Sequence, residues 1–191
     1  MVFRLLKSHA SAAILPGVFL VISGCSGIVD PEAEDLFRQK LGDTTLTIYP
    51  TYVRHGDGDD TYESGSAAAI GRFFTEEDLA RVVLSEERVP LSEQWYSDQS
   101  RMLRESAQAF ADYITGNPPA TEYGLLAEYA FLAGSGAVGG IHCYILDASG
   151  RVAWVLLLNS HHDVFSEAAP QTIEDCTAIL IAVLQDSLSD G

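Results

Sequence analysis

The chain has 191 residues, 47% of them hydrophobic, and its 27 acidic residues far outnumber its 11 basic ones. This length and composition are typical of one folded domain with its own core, and they argue against intrinsic disorder. The net charge of −16 repels phosphate, so we expect no nucleic-acid partner and no polybasic docking on anionic lipid.

The first 24 residues have the organisation of a bacterial export signal. Arg4 and Lys7 supply a positive start, and an apolar run over residues 12–22 follows. That run is too short to cross a bilayer as a helix. It leads into Leu20-Val21-Ile22-Ser23-Gly24-Cys25, which resembles the lipobox of bacterial lipoproteins.

This resemblance implies that the Cys25 thiol carries diacylglycerol, with acyl chains such as palmitate, and that the chain is cut between Gly24 and Cys25. Two or three acyl chains would anchor the protein stably in the lipid bilayer, because one chain alone binds only marginally. Ser26, rather than Asp, follows the cysteine and favours the periplasmic face of the outer membrane. The alternative is an uncleaved anchor or an ordinary secretory signal.

Removal of the leader takes away Arg4 and Lys7 but no acid, which leaves 9 basic against 27 acidic residues and a net charge of −18. We expect residues 25–43 to form a lipidated tether with a short helix, and residues 44–191 to form a single domain. In the tether, Asp30 caps a helix that starts at Pro31 and ends near Leu41.

The remaining elements follow from periodicity and from turn residues. They are a strand over 44–53, a helix over 64–74, a strand over 80–84, a helix over 97–115, strands over 122–132, 140–147 and 151–159, and a helix capped by Thr172. Pro50 confines the second half of the first strand to an edge or a strand end. Residues 54–60 are predicted to be a loop. This order predicts an α/β sandwich, a mixed sheet flanked by helices.

Three stretches of the chain resemble a group of envelope proteins. They are the strand with Leu46, Ile48 and Pro50, the segment 121–128, and the hairpin 145–154 with its closing Trp154. The group comprises the curli secretion lipoprotein, the outer-membrane lipoproteins that activate penicillin-binding proteins, and the N-terminal domain of the Tol-system propeller protein. The resemblance implies a domain that binds or assembles without catalysis.

Two cysteines remain once Cys25 is lipidated. Cys143 shares a strand face with apolar residues, and Cys176 lies on the buried stripe of the last helix. In an oxidising envelope such a pair can form a disulfide. Two buried free thiols are the alternative. A catalytic thiol paired with His142 is disfavoured, because adjacent strand residues point to opposite faces.

The sequence contains only weak signals for a metal or cofactor site. Asp57, Asp59 and Asp60 are weak calcium candidates, but they lack the spacing of a calcium-binding loop, so a mobile acidic loop is the preferred interpretation. His161-His162-Asp163 could be read as zinc ligands or as a solvated strand end, and the second interpretation is favoured. We therefore predict no metal and no cofactor.

The sequence favours a non-enzymatic envelope lipoprotein that binds another envelope protein or assembles with copies of itself. Glu93, Trp95 and Tyr96, just before the long helix, could anchor such a partner or could fix the helix start. Two alternatives stay open: a carrier with a small-ligand pocket between helix and sheet, and a metal-dependent hydrolase that uses the histidines and the acidic loop.

Overall fold

The computed structural model describes residues 27–92 and 98–189. The lipobox, Cys25 and the predicted anchors Glu93, Trp95 and Tyr96 lie outside the described residues. Five helices and seven strands are described. The helices are α1 (Pro31–Lys40), α2 (Ser64–Glu76), α3 (Gln99–Gly116), α4 (Asp163–Ala168) and α5 (Ile173–Ser189); the strands are β1 (Thr45–Ile48), β2 (Thr51–His55), β3 (Thr61–Glu63), β4 (Arg81–Leu84), β5 (Tyr123–Phe131), β6 (Val138–Asp147) and β7 (Val152–Leu158).

The sheet is built around β5, which is buried along its whole length. β6 runs antiparallel along one side of β5, and β7 pairs antiparallel with β6. β1 and β2 lie one after the other along the other side of β5, both parallel to it. β4 lies outside β1 and runs parallel to it, whereas β3 lies outside β2 and runs antiparallel. The sheet is therefore mixed, as expected.

A one-residue bulge separates β1 from β2. Ile48 pairs with Leu125, but Tyr52, four residues on, pairs with Glu128, only three residues on. Pro50 lies in this break, where its missing N–H interrupts no ladder. The extra residue exchanges the two faces, because side chains alternate along a strand.

The exchange is visible in the two cores on either side of the sheet. Leu46 and Ile48 of β1 face α2 and α5, and so does Val53 of β2. Tyr52 faces the other core, beneath α3. Even-numbered residues thus point one way before Pro50 and the opposite way after it, which directs Tyr52 and Arg54 towards α3.

Helices cover both faces, so the predicted α/β sandwich is confirmed. On one face α1, α2 and α5 enclose the larger core, and Phe37 of α1 lies edge-on against Tyr123 with ring centroids 5.1 Å apart. On the other face α3 packs through Leu103, Phe110 and Ile114. None of the helices within the described residues is long and apolar enough to span a membrane.

Local signals placed most element ends correctly. The Asp30 carboxylate accepts hydrogen bonds from the N–H groups of Glu32 and Ala33 at the start of α1. Thr172 and Asp175 form a reciprocal capping box at the start of α5. Gly150 closes the β6–β7 hairpin with a φ of 87°, a conformation that glycine adopts without strain.

Three features differ from those that the sequence predicts. The single strand predicted over 44–53 is divided at Pro50 and continues to His55, so Arg54 lies in a strand rather than in a loop. The short strand β3 and the single-turn helix α4 were not predicted. Both are brief elements, of three and six residues, and so few residues give only a weak periodic signal.

Candidate functional site

A cluster of charged and polar side chains lies buried between the sheet and α3. Arg54 comes from β2, Glu128 from β5, and His142 and Tyr144 from β6. The pairing of Glu128 with His142 across the strands, together with the bulge at Pro50, brings these side chains to one face. Glu128 and His142 are fully buried, and Arg54 is only 2% exposed.

Glu128 is the centre of this buried cluster. Its Oε1 atom accepts from Arg54 Nε and Nη2, both at 2.9 Å. Its Oε2 atom accepts from the Tyr144 hydroxyl at 2.8 Å and lies 3.1 Å from His142 Nδ1. Arg54 Nη1 also donates to the carbonyl of Ser92. The carboxylate is therefore held by groups from the two strands that flank β5, namely β2 and β6.

His142 links the cluster to α3. Its Nε2 atom lies 3.1 Å from Oε1 of Gln99. Gly140 leaves room for this contact, because a Cβ there would lie 2.6 Å from that same Gln99 oxygen. Within the described residues, every buried side-chain nitrogen and oxygen has a hydrogen-bond partner.

Electrostatics keep Glu128 ionised. Burial by itself raises the pKa of this carboxyl, but the hydrogen bond and charge of His142, the charge of Arg54 and the Tyr144 hydroxyl together lower the pKa to about 2. Burial and the neighbouring carboxylate raise the pKa of the Tyr144 phenol well above its usual range. Tyr144 therefore acts as a hydrogen-bond donor at neutral pH.

The chemistry open to this cluster is limited by access. A general acid or base must lie within hydrogen-bond reach of its substrate. Glu128 and His142 expose no surface, and all their polar atoms are engaged with protein groups. The cluster ties β2, β5, β6 and α3 together, which is the role of a structural ion-pair network rather than of an accessible catalytic site.

The sequence contains a signal for this cluster. Glu128 is the one charged residue within the apolar strand β5, and His142 interrupts the apolar run of β6. A buried acid needs a cation, and Arg54 directly follows the apolar end of the first strand. The bulge that turns Arg54 towards Glu128 could not be located from the sequence, so the pairing was missed.

Cys143 and Cys176 both lie in the core between the sheet and α5, fully buried. They are free thiols in this structure. Burial raises the pKa of Cys176 to about 12 and also raises that of Cys143, so both stay protonated and unreactive. The predicted disulfide remains a prediction. His142 lies on the opposite face of β6 from Cys143.

His55 lies apart from His161 and His162. His55 ends β2 and stacks on Phe131 with ring centroids 5.5 Å apart. His161 and His162 follow β7, and His162 occupies the N-cap position of α4 without a capping hydrogen bond from its side chain. β5 and β6 separate the two strands, which places their ends about 14 Å apart at the usual strand spacing.

In the acidic loop, Asp60 turns inward, and Asp57 and Asp59 face solvent. Asp60 accepts hydrogen bonds from the Tyr52 hydroxyl and from the backbone N–H of His55. Asp60 therefore closes the loop between β2 and β3. In the part of the chain that the structure describes, no three His, Cys, Asp or Glu side chains are grouped to hold a metal ion.

The open edge of β4 is the most exposed apolar feature of the sheet. Val83 and Leu84 are each 52% exposed. β4 pairs with β1 on one side, and no strand within residues 27–92 and 98–189 pairs with its other side. An unpaired apolar edge is the usual docking place for another strand.

A second surface feature is a groove of about 470 Å³ between α2 and α5. Ala69, Ala178 and Ile181 form its apolar walls, and Glu63 and Glu174 contribute carboxylates. At its base Ser66 and Thr177 are hydrogen-bonded to each other at 2.9 Å and to the Tyr129 hydroxyl. This size and lining fall within the range of small-ligand pockets.

Fold and surface together describe a single α/β domain with an open strand edge. No model of a protein family matches the chain, and no curated protein matches it. Among solved structures, the chain is similar to the PelC dodecamer from Paraburkholderia phytofirmans, with 12% identity and a TM-score of 0.37 over 76% of this chain and 88% of that chain. A variant PelC dodecamer from the same organism matches with 13% identity and a TM-score of 0.36 over 75% of this chain and 86% of that chain. Similarity of this degree carries no inference about function.

Proposed function

We propose that the protein is a lipoprotein of the bacterial cell envelope whose α/β domain binds another envelope protein and catalyses no reaction. The observation that supports binding is the open edge of β4 with its exposed Val83 and Leu84. The charged cluster around Glu128 is closed to substrates. The sequence Ser23-Gly24-Cys25 supports the lipid anchor, at the periplasmic face of the outer membrane.

The anchor is tested by replacing Cys25. In the native host, Cys25→Ala should abolish incorporation of labelled palmitate and leave the leader uncleaved, since only a thiol accepts the diacylglycerol. Ser26→Ala is the matched control and should be labelled and processed like the wild type. Unchanged labelling and cleavage of Cys25→Ala would contradict the anchor.

Partner binding is tested by cross-linking in envelopes of the native host, followed by affinity purification. Val83→Lys places a charge on the exposed edge and should reduce recovery of the cross-linked partner at least tenfold. Leu36→Lys is the matched control, because Leu36 is 40% exposed on α1 and lies outside the β4 edge. Equal recovery from both variants would show that the partner does not use this edge.

The groove between α2 and α5 supports a second candidate function, a carrier of small apolar ligands. Its walls are apolar and its hydroxyl groups are already hydrogen-bonded to one another. An uncharged apolar fluorescent probe such as N-phenyl-1-naphthylamine would report occupancy, and Ala69→Trp would fill the groove. Probe fluorescence that disappears in Ala69→Trp would favour the carrier, and equal fluorescence in both proteins would exclude this groove.

A further inference from the structure

We infer that the open edge of β4 binds an extended segment of another protein, apolar over about four residues and basic at both ends, which adds to the sheet as an eighth strand. This inference rests on the proposed partner-binding function and specifies the partner. It follows from the backbone of β4, from the groove beside it and from the charges at its two ends.

The backbone of β4 offers hydrogen-bonding groups to such a strand. The N–H of Arg81 donates to the carbonyl of Thr44, and the N–H of Ser85 donates to that of Ile48. Both bonds point towards β1. Because the direction alternates along a strand, the N–H and C=O groups of Val82 and Leu84 point towards the open edge.

A groove beside β4 can receive a side chain of the added strand. Gly71 of α2 brings the helix close to the sheet, since a Cβ there would lie 3.1 Å from both Val82 Cγ1 and Leu84 Cδ2. Next to this contact is a cavity of about 290 Å³ between α2 and β4, whose walls include Ala68 and Thr75. A strand added about 4.8 Å from β4 would place alternate side chains above this cavity.

The charges at the ends of β4 define the ends of the partner segment. Residues 76–88 contain five acidic residues and two cations, Arg81 and Arg88, so the segment keeps a net negative charge. Glu76, Glu77 and Asp78 precede the strand and are exposed. Glu86 and Glu87 follow it and are exposed as well, and the Glu87 carboxylate also accepts a hydrogen bond from the Tyr113 hydroxyl. A bound segment with lysine or arginine at both ends would place those cations beside these carboxylates.

The same charges disfavour a second copy of this chain as the occupant. Antiparallel pairing of two β4 strands would set residues 76–78 of one copy beside residues 86–87 of the other. Parallel pairing would bring identical acidic ends together. In both arrangements carboxylates oppose carboxylates, and each mature chain carries a net charge of −18 from 9 basic and 27 acidic residues.

The test uses the full-length protein in detergent and three labelled peptides. The first is Lys-Arg-Val-Ile-Val-Leu-Arg-Lys, the second replaces its four basic residues by Glu, and the third is Lys-Arg-Val-Pro-Val-Pro-Arg-Lys, which cannot complete a strand ladder. Fluorescence anisotropy should show binding of the first peptide and at least tenfold weaker binding of the other two. Equal binding of the first and third peptides would indicate charge attraction alone and would overturn the inference.

A pair of variants at position 84 tests the hydrogen bond that the outward-pointing N–H of Leu84 would donate to the added strand. Leu84→Pro and Leu84→Ala both remove the leucine side chain, but only proline removes the N–H that points outward. Proline is tolerated at an edge position of this kind. Leu84→Pro should bind the first peptide at least tenfold more weakly than Leu84→Ala, with unchanged circular dichroism. Equal affinities would overturn strand addition.

Two further results separate this inference from the proposed function. If the envelope partner is cross-linked equally to wild type and to Leu84→Pro, the partner uses another surface and the inference fails although partner binding stands. If sedimentation shows a dimer that Leu84→Pro abolishes, the occupant is a second copy and the inference is overturned. Unchanged lipid labelling and cleavage of Cys25→Ala would refute the lipid anchor without changing the peptide affinities.

Discussion

At the scale of single residues, the fully buried Glu128 makes the strongest prediction about stability. Glu128→Gln would remove the carboxylate charge that pairs with buried Arg54, and such a loss costs about 3–5 kcal/mol. Urea unfolding followed by circular dichroism measures the change. Glu105→Gln is the control, because Glu105 forms an exposed pair with Arg101 and its loss should cost about 0.5 kcal/mol or less. A cost below about 1 kcal/mol for Glu128→Gln would show that the ion pair is not important for stability.

The lowered pKa of Glu128 makes a prediction about pH. The carboxyl titrates near 4.5 in the unfolded chain and at about 2 in the folded one. Its contribution of roughly 3 kcal/mol is therefore complete above pH 4.5 and is lost as the pH falls towards 2. Glutamine imitates the protonated acid, so the difference in unfolding free energy between wild type and Glu128→Gln should shrink over this range. Urea midpoints at pH 5.5, 4 and 3 measure it, and a difference independent of pH would contradict the shift.

The two core cysteines make the third prediction. If the disulfide between Cys143 and Cys176 forms in the envelope, titration of denatured, unreduced, processed protein finds no free thiol. Two free thiols per chain would refute it. The native, reduced protein is the control, and it should react with 5,5′-dithiobis(2-nitrobenzoic acid) only on unfolding, because burial raises the pKa of Cys176 to about 12.

Single residues show both what the sequence could predict and what it could not. The placement of Cys143 and Cys176 in one core followed from alternation along a strand and from the helical repeat. The contact between Arg54 and Glu128 joins residues far apart in sequence, and it depends on strand register. Local patterns carry no information about that register unless a bulge is recognised.

At the scale of elements, the bulge at Pro50 makes a prediction of its own. Deletion of Pro50 would remove the extra residue between β1 and β2 and turn Tyr52 and Arg54 towards the opposite core. The deletion variant should therefore show no cooperative unfolding transition. Pro50→Ala keeps the residue count and should cost less than about 2 kcal/mol. Cooperative unfolding of the deletion variant in urea would show that the register can be restored elsewhere.

Elements with strong local signals were predicted well. The long helix α3, the capped helices α1 and α5 and the hairpin of β6 and β7 each combine periodicity with an end signal. The split of the first strand was missed, because a proline in a β-branched run indicates an interruption but not its geometry. The open edge of β4 could not be predicted either, since strand order depends on contacts between distant segments.

At the scale of the whole molecule, the exposed apolar edge of β4 favours self-association and the negative charge of the chain opposes it. An exposed apolar strand promotes aggregation, and proteins counter this with charges near the edge. Here the carboxylates on both sides of β4 stand within a chain that carries an excess of acidic residues throughout. The same charges that keep copies of the chain apart would attract a basic partner.

The excess of negative charge predicts that added salt stabilises the fold but weakens binding of the basic peptide. Raising sodium chloride from 0.01 to 0.15 M shortens the Debye length from about 30 to about 8 Å. Screening should raise the melting temperature by a few degrees, because self-repulsion of the net negative charge is reduced. It should also weaken binding of the basic peptide, because attraction to the carboxylates beside β4 is reduced.

A variant with fewer carboxylates separates these two effects from a general influence of salt. Glu76→Gln, Glu77→Gln and Asp78→Asn together remove three charges at one end of β4, and asparagine suits the φ of 55° at position 78. In this variant peptide binding should be weaker at low salt and should fall less steeply as salt is added. The rise in melting temperature should also be smaller. A salt response of binding identical to that of the wild type would mean that these carboxylates do not contact the bound segment, and the charge assigned to the partner would then have to be abandoned.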